Sequence, residues 1–430
     1  MPVIHAQASG TRSSRPGHKS PNWKPWTLIA KLWVAFCLAY VARQAIFSIF
    51  PVLRNELGFS EVQLGLTGTV FLWTYAVANI VAGYAADRVS ASRLIVASVI
   101  CWSVCTLMLG TAGSAAGILT WRALLAFTQA FYIVSAISLI SQWHGEGSRS
   151  TALSLHGTSQ MVGVTLGGWY GGYLTETLNW RWMLWLVGGA ALVYGLWLRH
   201  QIQDNRAAGV ESEGETGGGG GGFAQVFLSP SYVVFSFVFF CLCAMIWINY
   251  TWLADLLKSK FHLSLAQAGW IATAYTQLAT IPGLFLGAPL GDRWGRSAPR
   301  ARFWMVLAGI GFSSPCFYWL AGGDSLAMVK LAALGYGFFQ GLFNANFIAA
   351  LVSFVPRHYR GLGVGLCNMV GSLSGGLSAF LIGRLKERLP TESLFAAVSA
   401  SGVLATLVLG FTLWRFFPRD YQTCRNLERT

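Results

Sequence analysis

Apolar residues run along this chain in stretches of about twenty, each closed by a short polar or basic segment. As a helix, a stretch of that length rises about 30 Å, the thickness of a bilayer's hydrocarbon core. The pattern predicts spans at 27–50, 63–85, 94–112, 116–141, 151–174 and 181–199, and again at 231–257, 266–290, 303–321, 326–352, 361–383 and 394–417. The expected fold class is an all-α membrane protein with twelve transmembrane helices in two six-helix bundles, 27–199 and 231–417. Residues 200–230 interrupt the pattern with Glu211, Glu213, Glu215 and the glycines Gly217 to Gly222. That composition predicts a flexible cytoplasmic linker. Residues 1–26 and 418–430 are read as cytoplasmic tails.

Composition agrees with a lipid solvent. Of 430 residues, 54% are hydrophobic and 11% charged, with 19 Trp and 14 Tyr suited to interfacial belts. A soluble domain carries about 25% charge. The net charge of +14 could signal nucleic acid in a soluble protein. Here the basic residues follow the topology instead. With both termini inside, nineteen Lys and Arg fall in the inner segments and seven in the outer ones, as the positive-inside rule requires. The expected location is the cell membrane, multi-pass, with cytoplasmic termini (the inner membrane if the source is bacterial). The cysteines show no metal-ligand spacing, and no cofactor is expected.

Two inner segments repeat each other. Gly83-Tyr-Ala-Ala-Asp87-Arg88 follows the second span, and Gly287-Ala-Pro-Leu-Gly291-Asp292-Arg293 follows the eighth. Both are read as loops in which an acid and an arginine act as a gate, because such pairs can meet helix ends and anionic headgroups. Asp87, Arg88, Asp292 and Arg293 are the candidate gating residues.

Charge inside a span is costly, at least about 2.5–3.5 kcal/mol on insertion scales, so it marks function. Arg43 lies deep in the first span and Arg122 in the fourth, while Asp and Glu fall at or beyond the predicted span ends. A cavity with guanidinium groups and no matching carboxylate favours an anion. Amides and aromatics on the spans are candidates for the rest of the ligand: Tyr75, Gln129, Gln160, Trp247, Asn249, Gln340, Asn344 and Asn368. Gln340 and Asn344 are four residues apart and share a helix face. His156 titrates near neutrality in its unperturbed form and is a candidate proton site.

The twelve spans, the six-plus-six division and the doubled Asp-Arg segment resemble the major facilitator superfamily over the whole chain. The first copy of the motif has Ser90 where the superfamily has glycine. The run from Ala42-Arg43 through Pro51, Gly58-Phe59-Ser60, Leu64-Gly65, Tyr75 and Asp87-Arg88, with Ile281-Pro282-Gly283 in the second half, resembles the organic-anion branch. That branch holds anion:cation symporters and organophosphate/phosphate antiporters. The resemblance implies a substrate site between the bundles, exposed alternately to each side, with Arg43 binding the anionic group. Two departures carry meaning. The sugar-acid/proton symporters of the branch have acids where this chain has Ala42 and Gln129. The organophosphate antiporters have a seventh-span arginine where this chain has Ile246.

The expected function is secondary transport of a small organic anion, a carboxylate or sugar acid, coupled to a proton, sodium or a counter-anion. Two alternatives stay open: an organophosphate/phosphate-type exchanger, and a multidrug or metabolite exporter of the same fold. An enzyme is not expected, since the spans carry no metal cluster and no nucleophile–base constellation. The expected partners are the substrate, the coupling ion and membrane lipid, without nucleic acid, and the expected state is a monomer.

Overall fold

The computed structural model describes residues 25–204, 226–297, 301–356 and 359–427. The N-terminal tail up to residue 24 and the acidic, glycine-rich part of the linker lie outside them. Among the described residues, twelve long helices follow one another, six before the linker and six after it. The first runs from Pro25 to Ala45, passes through a 3-10 turn at Ile46–Ile49 and continues as Phe50–Leu57. The second to sixth are Glu61–Ala86, Ala91–Thr111, Ala115–Trp143, Glu146–Thr177 and Trp180–Leu198. The seventh to twelfth are Pro230–Phe261, Leu265–Ser297, Ala301–Gly322, Leu326–Leu351, Arg360–Leu385 and Thr391–Arg415.

Ten of these helices are long and apolar enough to cross a membrane. The fifth and eighth are not among those ten, and they pack against each other between the two halves. Their surface meets protein where other spans meet lipid. A proline causes the break in the first span. Pro51 has no N–H to offer the carbonyl of Phe47, so the α-helical ladder cannot pass through that turn. Gly58 then ends the helix in the left-handed region (φ 62°), where a residue without Cβ is unstrained. Ser60 starts the second span with a capping box to Gln63.

Two expectations change at the helix ends. The eighth span does not stop at residue 290. It runs on to Ser297 with Pro282 and Pro289 inside it, so Asp292 and Arg293 are helical and not in a loop. Asn346 of the tenth span braces this stretch by donating to the Gly287 carbonyl at 3.0 Å; the carbonyls that Pro282 and Pro289 leave without an N–H are those of Leu278 and Phe285. The C-terminal tail also contains a helix, Phe417–Leu427. It docks through Phe417 and Cys424, which are buried.

Among the described residues, the hydrogen bonds that zip the two halves together lie on one side. Call the side carrying residues 86–91, 199–204 and 226–230 the linker face, and the opposite side the far face. From the far face inward, Thr69 Oγ1 donates to the Gly376 carbonyl at 2.7 Å and Trp73 Nε1 to the Leu373 carbonyl at 3.3 Å. Between the fifth and eighth spans, Thr273 Oγ1 donates to the Thr165 carbonyl at 3.4 Å. The Glu176 carboxylate accepts from the Leu265 and Ala266 amides at the start of the eighth span, a favourable place for an anion. Beyond Trp73 the same face of the second span continues as Val77, Ile80 and Tyr84, which are 65%, 71% and 63% exposed. The facing residues Met369 and Leu362 of the eleventh span are exposed too. Among the described residues, the cleft is open to the linker face and closed to the far face.

Gly168 and Gly269 set the closest approach of the fifth and eighth spans: a Cβ on Gly269 would overlap the Gly168 carbonyl. Gly269→Leu is therefore expected to force the far face apart. Nitroxide labels at Asn55→Cys and Ser259→Cys, in a Cys101→Ser background, should show a longer distance by electron–electron resonance. An unchanged distance distribution would mean that this glycine contact does not hold the face shut.

Candidate functional site

A hydrogen bond between the halves lies beside the buried cation of the first span. Gln44 Nε2 donates to the Tyr250 carbonyl of the seventh span at 3.0 Å. The Tyr250 hydroxyl accepts from Gln277 of the eighth at 2.7 Å. The neighbouring Arg43 is 5% exposed, and its position, eighteen residues into the helix, puts it about 27 Å from that helix's start on the linker face.

Aromatic rings enclose the Arg43 guanidinium. Its Cζ lies 4.4 Å from the Tyr40 ring centroid, 4.4 Å from Phe71 and 4.9 Å from Tyr75. Such contacts stabilise a cation by about 0.5–2 kcal/mol each, more when desolvated. Nη2 donates to Gln129 Oε1 at 3.1 Å, and Nε has no partner. Gln129 is held in turn by the Ala39 carbonyl at 3.4 Å. Among the described residues no carboxylate pairs with Arg43, although ion pairs occur elsewhere. The amide at 129 orients the guanidinium and leaves its charge uncompensated.

Arg122 is fully buried and held differently. Nε donates to the Thr67 carbonyl and Nη1 to the Arg43 carbonyl, both at 3.2 Å. Its Cζ lies 4.7 Å from the Phe71 centroid, so one ring serves both arginines. Arg122 thus ties the fourth span to the first and second at the level of Arg43. Its place in the candidate set is one of positioning and of added positive charge.

The other candidates fall into groups. Gln160 of the fifth span and Trp247 of the seventh are half-buried, and Trp247 packs edge-on to Tyr250 at 5.7 Å. Asn249 is fully buried, and neither of its side-chain polar atoms has a protein partner. Gln340 is 4% exposed with Oε1 unpartnered. Asn344, one turn further toward the linker face, is exposed, as is Asn368 of the eleventh span. His156 lies away from Arg43. It stacks on Phe36, two turns earlier in the first span, with centroids 4.8 Å apart, and meets the Tyr132 hydroxyl at 3.3 Å. That hydroxyl donates to the Leu32 carbonyl at 2.6 Å, so the histidine sits in an aromatic pack.

The motif residues lie on the linker face. Asp87 and Arg88 are exposed, and Arg88 folds back onto its own helix, donating to the Tyr84 carbonyl at 3.2 Å. Asp204, beyond the sixth span, accepts from Ser90, from Ser92 N at 3.0 Å and from Ser92 Oγ at 2.9 Å, pinning that turn. Asp292 pairs with Arg302 of the ninth span, and Arg293 is exposed. Sequence reasoning passed over Gln44, whose signal was an amide next to Arg43. It placed Arg54, Asp255 and Lys386 among the boundary charges.

Two six-helix halves with a cleft between them and two buried arginines in the first half define a class of membrane carrier. The Major Facilitator Superfamily model matches residues 32–379 and 235–423, and the chain belongs to that family. It is 26% identical over 426 residues to the voltage-gated purine nucleotide uniporter SLC17A9 of Mus musculus, covering 94% of this chain and 92% of that protein. It is 23% identical over 416 residues to the D-galactonate transporter of Escherichia coli O6:H1, covering 90% and 96%. The fold is similar to the crystal structure of a bacterial homolog of the human lysosomal transporter Spinster in an inward-facing, unoccupied conformation. The TM-score is 0.75 at 20% identity, covering 96% of this chain and 99% of that one.

The two ways of holding an arginine predict different losses. Arg122→Met removes two carbonyl hydrogen bonds and is expected to cost about 1–3 kcal/mol of stability. It should lower the melting temperature of the detergent-purified protein and weaken anion binding less than Arg43→Ala does. Thermal-shift and tryptophan-quenching titrations check this, and a stable Arg122→Met protein that has lost all binding would contradict it.

Proposed function

We propose that this protein is a secondary active transporter that moves a small organic anion, a carboxylate or sugar acid, across the cell membrane by alternating access. Arg43 is its anionic-group anchor. One observation carries the reading: the Arg43 guanidinium lies at the closed end of the cleft, held by an amide and three aromatic rings, with no carboxylate partner among the described residues. An anion supplies the missing charge through short, charge-assisted hydrogen bonds. The similarity to transporters named for D-galactonate and for purine nucleotides supports an anionic substrate.

In this reading Tyr75, Gln129 and Gln160 line the first half of the site. Trp247, Asn249 and Gln340 face the ligand from the second half, with Asn344 and Asn368 nearer the cleft mouth. The linker face is cytoplasmic, as the basic residues of Arg88, Arg93, Arg149, Arg293 and Arg302 suggest, so the conformation described is inward-open. Asp87–Arg88 and Asp292–Arg302 then mark the cytoplasmic gate. A gradient of protons, sodium or a counter-anion drives the cycle. His156, enclosed by Phe36 and Tyr132, is the weaker of the two assignments to a coupling role: a counter-anion needs no titrating group in the spans. A phosphate-ester exchanger is the second reading, favoured by the second buried guanidinium at Arg122 and by the nucleotide-transporting relative.

Uptake into proteoliposomes tests both. The panel holds sugar acids, simple carboxylates, phosphate esters and nucleotides, each run with a pH gradient, a sodium gradient and preloaded anion. Arg43→Ala is expected to abolish uptake and weaken binding by tens to hundreds of times, the effect of losing a charged hydrogen bond worth about 1.5–3 kcal/mol. Arg43→Lys should retain part of the binding. If no anion is transported, or if Arg43→Ala leaves transport intact, the proposal fails. Preference for phosphate esters over carboxylates would select the second reading.

A further inference from the structure

Four charges meet at the far face, two from each half. Arg54, near the end of the first span, holds Glu61 at the start of the second in a bidentate pair, Nε–Oε1 2.6 Å and Nη2–Oε2 3.1 Å. Lys386, just after the eleventh span, pairs with Asp255 of the seventh. Each half therefore owns one neutral ion pair. The pairs also bond to each other across the seam. Arg54 Nη1 and Nη2 reach Asp255 Oδ1 and Oδ2 at 3.3 and 3.1 Å, and Lys386 Nζ reaches Glu61 Oε2 at 3.3 Å. The cluster is sheltered: Asp255 is 5% exposed, and the Lys386 ammonium stands 4.9 Å from the Trp252 ring centroid.

We propose that these four residues form a charge-balanced latch that closes the far face and can open without orphaning a charge. Breaking a buried pair by taking one partner away is costly, because it leaves an uncompensated ion. Here separation of the halves leaves Arg54 with Glu61 and Lys386 with Asp255. Only the cross-seam attraction is lost, and the desolvated charges keep their partners throughout. A single pair spanning the seam, Arg54 with Asp255 alone, would instead strand one ion on each half. The arrangement gives closure a directional electrostatic contribution while keeping the opening step shallow, which a carrier that must visit both states needs. The latch acts on the conformational equilibrium whatever the ligand, so its test uses no substrate.

Inverting the charges within one half separates the two sets of contacts. Arg54→Glu with Glu61→Arg keeps the first half's own pair but sets like charges against Asp255 and Lys386. Asp255→Lys with Lys386→Asp does the same from the second half. Like-charge juxtaposition costs several kcal/mol, so either inversion should raise the ratio of far-open to far-closed molecules at least about tenfold. The readout is the distance distribution between labels at Asn55→Cys and Ser259→Cys in reconstituted protein. All four substitutions together restore opposite charges across the seam and should restore the closed distribution. Where a half-inversion does not give folded protein, Arg54→Gln with Glu61→Gln carries the test. It removes both cross-seam contacts, leaves Asp255 paired with Lys386, and should raise the open fraction about threefold, in keeping with partly exposed pairs. A wild-type distribution in these variants, or a fourfold variant that stays open, overturns the latch.

Discussion

A guanidinium placed inside a membrane must be surrounded by groups that replace water, and this requirement organises the first half of the molecule. Arg122 meets it with backbone carbonyls from two other spans, which fixes the distances among the first, second and fourth spans. Arg43 meets it with one amide oxygen and three rings. The difference is chemical. Carbonyls hold Nε and Nη1 of Arg122 without a counter-ion, with Nη2 unpartnered, and the group is fully buried. Rings and an amide stabilise Arg43 without neutralising it, and they can slide or rotate as a ligand arrives. Phe71 contacts both cations, so a shift of one is felt by the other.

The seam between the halves gives that site its mechanical setting. Contacts run from the far face down to Gln44–Tyr250, and Gln44 is the residue after Arg43. The closed part of the seam therefore ends where the cleft's charge begins. A ligand can favour one state only through contacts that differ between states. In the proposed reading, an anion seated on Arg43 meets the first half at once and reaches second-half groups such as Gln340 fully only when the linker-side spans approach. Asn249 has a buried amide with no protein partner, a hydrogen-bonding deficit in the second half of the seam.

The sequence carried the helices and their division because a span is a one-dimensional pattern: length and hydropathy suffice. Arg43 was legible for the same reason, as a charge inside a run of apolar residues. What could not be read depended on contacts between distant segments. Arg54 and Asp255 lie about two hundred residues apart, and each taken alone is an ordinary boundary charge. Pro289 and Gly291 look like a turn in the sequence, whereas the helix passes through both to Ser297, braced by Asn346 of the tenth span at the Gly287 carbonyl. The pairing of Gln340 with Asn344 followed helical spacing, yet the two differ in burial because the lower half of that face opens with the cleft. The buried amide of the tenth span's lower half is Asn346, two residues further on and turned toward the eighth span.

Two sets of charges thus divide the work. The far-face set sums to zero within each half, so moving the halves apart changes which pairs touch but not whether any ion is paired. The central set sums to a positive charge in one half only, with nothing in the second half to answer it among the described residues. A neutral latch can hold a state without preferring a ligand, and an unbalanced site can prefer a ligand without holding a state. Were the central charge balanced by a resident carboxylate, an incoming anion would have to displace it, and much of the binding energy would go into separating that pair. Leaving Gln129 beside Arg43 avoids that exchange, and in the proposed reading the ligand itself completes the ion pair that the fold leaves open.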